Sequence, residues 1–172
     1  MAIHPHPTPI EPDIAPSSGV IAVTRALQVL EAFKVEESQL SLAELSRRTG
    51  LGQDVLVHDF GLHLARVFAK KFSVFFDACD GTFDFLKRID NHIHVEVKKL
   101  YPDAQLPKFT YTEISPYEFE LKYESSRDFS HLAHGLIVGC MEHFHESFQI
   151  EREDVAASPD TQVIFKLRRF IK

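Results

Sequence analysis

Three groups of residues have types and spacings that could do chemistry. His94 stands in Ile93-His94-Val95-Glu96-Val97, at the border of an apolar helical face. On a helical wheel it lies about 80° from the centre of that face, while His92 points nearly the other way. An imidazole so placed either hydrogen-bonds at the edge of a core or ligates a metal through one ring nitrogen. The second group is Tyr123-Glu124-Ser125-Ser126-Arg127, at the end of a predicted strand. Alternate side chains of an extended chain share a face, so Tyr123, Ser125 and Arg127 project together. A phenol, a hydroxyl and a guanidinium on one face make a clamp for carboxylates, with the arginine able to bind bidentately. On spacing alone, an ordinary strand with a surface arginine is the favoured reading. The third group is His131, His134, Cys140, His143 and His145, spread along one predicted helix. Its spacing admits a zinc site, but residues 141–172 hold no further cysteine, and exposed helix histidines are the simpler reading.

These groups need elements to position them. Apolar residues at Leu56, Phe60, Leu64, Val67, Phe68, Phe72, Phe75 and Phe76 predict long helix from Val55 onward, with one broad apolar face. Thr82 is placed to cap a second helix that runs to about Leu100 and stops at Tyr101-Pro102. Its apolar face is Phe83, Leu86, Ile89, Ile93, Val97 and Leu100. Strands are predicted over 108–114 and 117–125, then a helix over 127–146, then strands over 147–154 and 162–170. The fold class expected is α+β, helices packed on a small antiparallel sheet, preceded by a short helical segment.

That preceding segment is compositionally separate. Residues 1–19 hold prolines at 5, 7, 9, 12 and 16 and little to bury, which predicts a disordered arm whose His4 and His6 are solvated. Over residues 20–59, Val23, Ala26, Leu27, Leu30 and Phe33 recur at helical spacing, and Ser41-Leu42-Ala43-Glu44 reads as a capping box before a helix ending at Gly50. Helix, loop, short helix and glycine turn open a helix-turn-helix. The stretch Val20 to Leu51 resembles the N-terminus of IclR-type transcriptional regulators. Where that family places a basic recognition helix, this chain reads Gly52-Gln53-Asp54-Val55-Leu56-Val57-His58-Asp59. Residues 1–59 hold four basic and eight acidic residues, a net charge of −4 that repels phosphate, so DNA is not the expected partner.

Over the whole chain the net charge is −6, no apolar run reaches the roughly 18 residues of a membrane span, and the two cysteines cannot form a disulfide framework. The first 19 residues contain no basic residue, which excludes a secretory signal there. A cytoplasmic location is expected. There are 15 Phe, no Trp and four Tyr, and every Phe but Phe33 lies at or after Phe60. No glycine-rich phosphate loop, Gly-x-Ser-x-Gly or paired carboxylate site is present, so the chain is not expected to be an enzyme.

Taken together, His94, the Tyr-Pro seven residues later, Tyr123-x-Ser125-x-Arg127 and Gly135-Leu136-Ile137-Val138-Gly139 match a known order and spacing. Residues 60–172 resemble the H-NOX family, haem nitric oxide/oxygen-binding domains. The resemblance implies haem b as cofactor, His94 as the iron ligand, and Tyr123, Ser125 and Arg127 as the clamp on the haem propionates. It also implies that Phe68 and Leu136 line the distal pocket and that Pro107 presses on the porphyrin. Dioxygen on ferrous iron gathers negative charge and calls for a hydrogen-bond donor, whereas nitric oxide needs none. Oxygen-binding members of the family supply a tyrosine nine residues after the clamp tyrosine; here that position is Leu132. The resemblance therefore implies a nitric oxide sensor that signals to a partner of histidine kinase or cyclase type. The family's N-terminal distal helices are replaced by the IclR-like stretch. The alternatives are a DNA-binding regulator coupled to a sensor domain, or a chimera without haem.

Overall fold

A serine followed by a run of helix formers starts the first helix in view. The computed structural model describes residues 40–100, 102–155 and 159–170, and the chain divides into two compact units, Met1–Leu51 and Gly52–Lys172. In the first unit, helix α1 (Leu42–Thr49) is capped by Ser41, whose hydroxyl accepts the Glu44 amide at 3.2 Å. The other half of the expected capping box is not made. The Glu44 carboxylate turns to Arg47 and Arg48, at 2.7 and 2.6 Å, because two charge-assisted bonds outweigh one backbone amide. Those guanidiniums hold the Glu44 carboxyl at about 2. The helix ends at Gly50 in the left-handed conformation (φ 69°), its amide donating to the Ser46 carbonyl, as expected. The predicted Pro-rich arm and the helix from Val20 to Phe33 lie outside the described residues.

The second unit contains α2 (Gln53–Lys71), α3 (Ser73–Asp77), α4 (Thr82–Lys87), a π-helical turn (Ile89–Ile93), α5 (His94–Leu100), β1 (Lys108–Ser115), β2 (Glu118–Ser125), α6 (Ser130–His143), β3 (Phe148–Asp154) and β4 (Thr161–Arg169). This is the α+β class expected. The strands form one antiparallel sheet in the order β1-β2-β4-β3. Its centre follows the period of two: Phe119, Leu121 and Tyr123 of β2 pair with Leu167, Phe165 and Val163 of β4, and all six are buried. The helices bring Phe76, Phe83, Phe85, Leu86, Ala133 and Ile137 onto that face, with Phe83 stacked on Phe119 at 4.9 Å. Phenylalanine thus fills much of the space between helix and sheet. Arg169 of β4 lies over Phe83 and Phe148 and donates to Glu146 at 2.6 Å.

Two expectations about the helices are corrected. The apolar face of α2 is divided. Leu56, Gly61 and Ala65 are buried, whereas Phe60 and Phe68 remain 57% and 39% exposed. The buried stripe meets α6 at backbone distance: a Cβ on Gly135 would lie 2.0 Å from the His58 carbonyl oxygen. Large rings cannot enter so close a crossing, so they occupy the neighbouring face. The predicted helix over 82–100 is also broken into α4, the π turn and α5. In the turn, Ile93 donates to the Arg88 carbonyl at 3.1 Å and His94 to that of Ile89. Thr82 does not cap it. Gly81 occupies the cap position, and the Glu146 carboxylate, far along the chain, accepts the Thr82 amide at 2.7 Å. Among the described residues, no helix is long and apolar enough to cross a membrane.

Candidate functional site

His94 is the first residue of α5, directly after the π turn, and its side chain is 17% exposed. Its Nδ1 lies 2.9 Å from Oδ1 of Asp90, and among the described residues Nε2 has no hydrogen-bond partner. A carboxylate at Nδ1 calls for a proton there, which leaves the lone pair on Nε2. Burial pulls the His94 pKa below its ordinary value, opposed by the charge and hydrogen bond of Asp90. Burial wins, so the imidazole is neutral at neutral pH, the form that binds metals. The second oxygen of Asp90 accepts the Phe109 amide of β1 at 3.0 Å. Asp90 is not among the residues that the motifs single out. An acid four residues before a histidine on a predicted helix is the signal that points to it.

Phe109 joins His94 to the predicted clamp. Its ring lies 5.8 Å from that of His94 and 5.6 Å, edge-on, from that of Tyr123, its partner across β1 and β2. The three clamp residues do not present themselves alike. Tyr123 is fully buried; its hydroxyl donates to the Arg127 carbonyl at 2.9 Å and accepts the Phe129 amide at 3.1 Å. The Ser125 hydroxyl accepts the Arg127 amide at 3.1 Å. Both hydroxyls therefore build the turn that leads into α6. Arg127 is exposed, and among the described residues its guanidinium has no hydrogen bond or ion pair. Two buried or half-buried hydroxyls thus hold the backbone of a free cation.

Of the remaining predicted pocket residues, Phe68 on α2 meets Phe72 edge-on at 6.0 Å. Leu132 and Leu136 are half-buried on α6, one turn apart, and Pro107 is half-buried just before β1. The histidine row does not converge, and among the described residues no group of three or more His, Cys, Asp or Glu is placed to hold a metal. His131 packs on Arg152, with His131 Nε2 2.7 Å from its guanidinium. His134 meets His58 edge-on at 4.9 Å and Phe165 at 5.7 Å. Burial first, and then the charges of His58, Arg152 and His131, push His134 down to about 4. His143 lies against Phe76 and Phe144. Cys140 is buried and its thiol pushed up to about 12 by that burial; burial also raises Cys79, which donates to the Phe75 carbonyl.

Similarity to known proteins decides the family. The Haem-NO-binding family matches residues 18–152. The chain belongs to the Haem-NO-binding family. Its fold is that of solved H-NOX structures. The unliganded Fe(II) H-NOX protein from K. algicida is 28% identical, with 89% of this chain and 86% of that one covered at a TM-score of 0.70. A point mutant of T. tengcongensis H-NOX is 19% identical over 88% of this chain and 94% of that one, also at 0.70. An oxygen-binding H-NOX domain related to soluble guanylate cyclases, solved as its oxygen complex, is 17% identical over 86% and 85%, at 0.65. No curated protein sequence matches. The family match begins at residue 18, so it takes in the stretch that resembles IclR regulators.

Haem-NO-binding proteins are haem-binding gas sensors, and the residues present here suit that group. A neutral imidazole offers one unpartnered nitrogen, its other nitrogen is held by a carboxylate, and a cation without a protein partner among the described residues stands at the end of β2. A carboxylate behind the ligating histidine is the usual outer partner of a metal-bound imidazole.

Proposed function

We propose that the chain is a nitric oxide sensor module that binds haem b and passes the signal to a partner protein. The observation that carries this reading is His94, neutral, tethered at Nδ1 by Asp90 and unpartnered at Nε2 among the described residues. When bound, haem supplies a ferrous centre that takes diatomic gases. The protein's part is to hold it and to choose the gas. His94 Nε2 is the iron ligand. Arg127 receives the propionates, and Tyr123 and Ser125 fix the turn that aims it. Phe68 and Leu136 form apolar walls, and Pro107 bears on the ring. Cys79 and Cys140 are far apart in sequence and no Cys-x-x-Cys-His is present, so the haem is held without thioether bonds.

The gas preference rests on what α2 and α6 lack. Neither carries a tyrosine, and Leu132 stands where a donor would be needed. Of the α6 histidines, His131 meets Arg152 of the sheet and His134 lies between His58 of α2 and Phe165, on the helix face away from Leu132 and Leu136. Nitric oxide requires no donor; oxygen does. In sequence the stretch 20–51 occupies the position of the family's N-terminal helices. The module acts in the cytoplasm as a sensor rather than an enzyme, and its partner is a kinase or a cyclase.

The test is an absorption spectrum of haem-supplemented protein, reduced under argon and then given nitric oxide or air. A Soret band that shifts with nitric oxide, while air brings only oxidation, supports the reading. A protein that leaves a desalting column without a Soret band sinks it. In the His94→Gly variant the ferrous spectrum must change; an unchanged spectrum removes His94 as ligand.

A further inference from the structure

Asp90 holds two partners at once, and they belong to different layers of the molecule. Oδ1 takes His94 Nδ1 at 2.9 Å, while Oδ2 takes the amide of Phe109 at 3.0 Å. Phe109 lies on β1, which is an edge strand, so alternate amides of β1 point away from β2 and need a partner elsewhere. Asp90 supplies that partner. The same carboxylate decides which histidine nitrogen carries the proton, since an acceptor at Nδ1 admits only the Nδ1–H form. It sits inside the π turn, where one extra residue per turn leaves the helix a second arrangement within reach of a single hydrogen-bond shift. Rotation or displacement of the imidazole therefore pulls on a carboxylate that is also bonded to the sheet.

We infer that Asp90 is the positioning residue for His94 and the link that carries its movement to strand β1. The inference rests on the reading of His94 as the ligand, but its two halves are visible in the protein without haem. Asp90 fixes the tautomer that frees Nε2, and Asp90 ties that imidazole to the Phe109 amide. A second tie between the same layers, the ion pair from Lys87 of α4 to Glu113 of β1, is partly exposed and includes neither His94 nor Phe109. It serves as a control.

The experiment uses the full chain and the Asp90→Asn, Asp90→Ala and Lys87→Ala variants. In the haem-free protein, nitrogen NMR of the histidine rings is expected to find His94 as the Nδ1–H tautomer, and amide exchange to find Phe109 protected. An asparagine side chain has a single acceptor oxygen and puts a donor group where the other carboxylate oxygen stood, so it cannot accept at both positions. Asp90→Asn should therefore either switch His94 to the Nε2–H tautomer or speed Phe109 exchange by roughly tenfold. Asp90→Ala should speed Phe109 exchange by at least as much, and Lys87→Ala should change neither readout. With haem bound, the iron–histidine stretch should fall to lower frequency in both Asp90 variants, because the carboxylate no longer polarises the ring. Nitric oxide should alter Phe109 exchange in the parent and in Lys87→Ala but not in Asp90→Ala. A parent His94 in the Nε2–H form overturns the inference, as does an Asp90→Asn protein with tautomer and exchange both unchanged. Failure of the parent to take up haem overturns the functional reading instead, and the haem-free measurements still decide the role of Asp90.

Discussion

The helix pair α2 and α6 and the broken helix from Thr82 to Leu100 carry two halves of the proposed site, and they are built on opposite plans. The pair meets backbone to backbone, with Gly135 beneath the His58 carbonyl and Gly139 against Ala65. Such a crossing has one arrangement, since neither helix can turn without a clash. The broken helix is interrupted by a π turn, held at its start by a distant glutamate and tied at its middle by Asp90. Its first part, α4, is anchored in the core by Phe83, Phe85 and Leu86, whereas beyond Leu86 the two bonds of Asp90 are polar restraints that can be exchanged one at a time. Movement therefore belongs to the broken helix rather than to the packed pair. The proposed apolar wall and the proposed clamp stand on the unyielding pair and the sheet, and the proposed iron ligand stands on the part that can give.

The largest expected effect comes from breaking the rigid side. Gly135→Ala places a methyl where only a hydrogen fits and should destabilise the fold by about 3 kcal/mol or more, read from urea unfolding. A loss under about 1 kcal/mol would show that the helix pair yields after all. Next comes the clamp. Arg127→Ala should weaken haem retention by roughly tenfold, measured by transfer of haem to an acceptor protein, with the stability of the haem-free fold changed by less than about 0.5 kcal/mol. Equal retention would take Arg127 out of the site.

Acid tests the rigid pair at its polar end. His134, half-buried between His58, His131, Arg152 and Phe165, is held neutral in the fold, with its pKa lowered from 6.5 to about 4. Its contribution is present above the unfolded value and is lost as pH falls from 6.5 through about 4, because the unfolded chain takes the proton first. Allowing for its partial exposure to solvent, the loss should be on the order of 1 kcal/mol, and His134→Gln should flatten that part of the stability profile. The smallest effect sharpens the other side. Among the described residues the buried Thr82 hydroxyl has no hydrogen-bond partner, so Thr82→Val should change stability by within about 0.5 kcal/mol, towards the stable side. A clear loss would mean that the hydroxyl matters to the start of α4.

The same contrast separates what could be read from the sequence from what could not. Strands 108–115 and 118–125 were legible because apolar and polar residues alternate with a period of two and a turn sits between them. The end of α1 was legible because Gly50 can take the left-handed conformation at no steric cost. His94 and Arg127 could be singled out because their chemistry is carried by residue type. The break at Ile89–Ile93 could not, since a π turn alters which carbonyl each amide reaches and leaves the apolar spacing nearly intact. The division of the α2 face was hidden for a different reason. Phe60 and Phe68 are as apolar as Leu56, and only the closeness of Gly135 decides which of them is buried. The Glu146–Thr82 cap joins residues 64 apart in sequence, beyond the reach of any local pattern.

The two cysteines have a practical consequence. Neither thiol is readily ionised, one enclosed in the core and the other bonded to a carbonyl of the helix that precedes it. A maleimide dye offered to the native protein at neutral pH should find little to react with. Ile114→Cys, at an exposed position on β1, would then be the one fast-labelling site, and a fluorophore there would report on that strand in a protein that needs no other alteration.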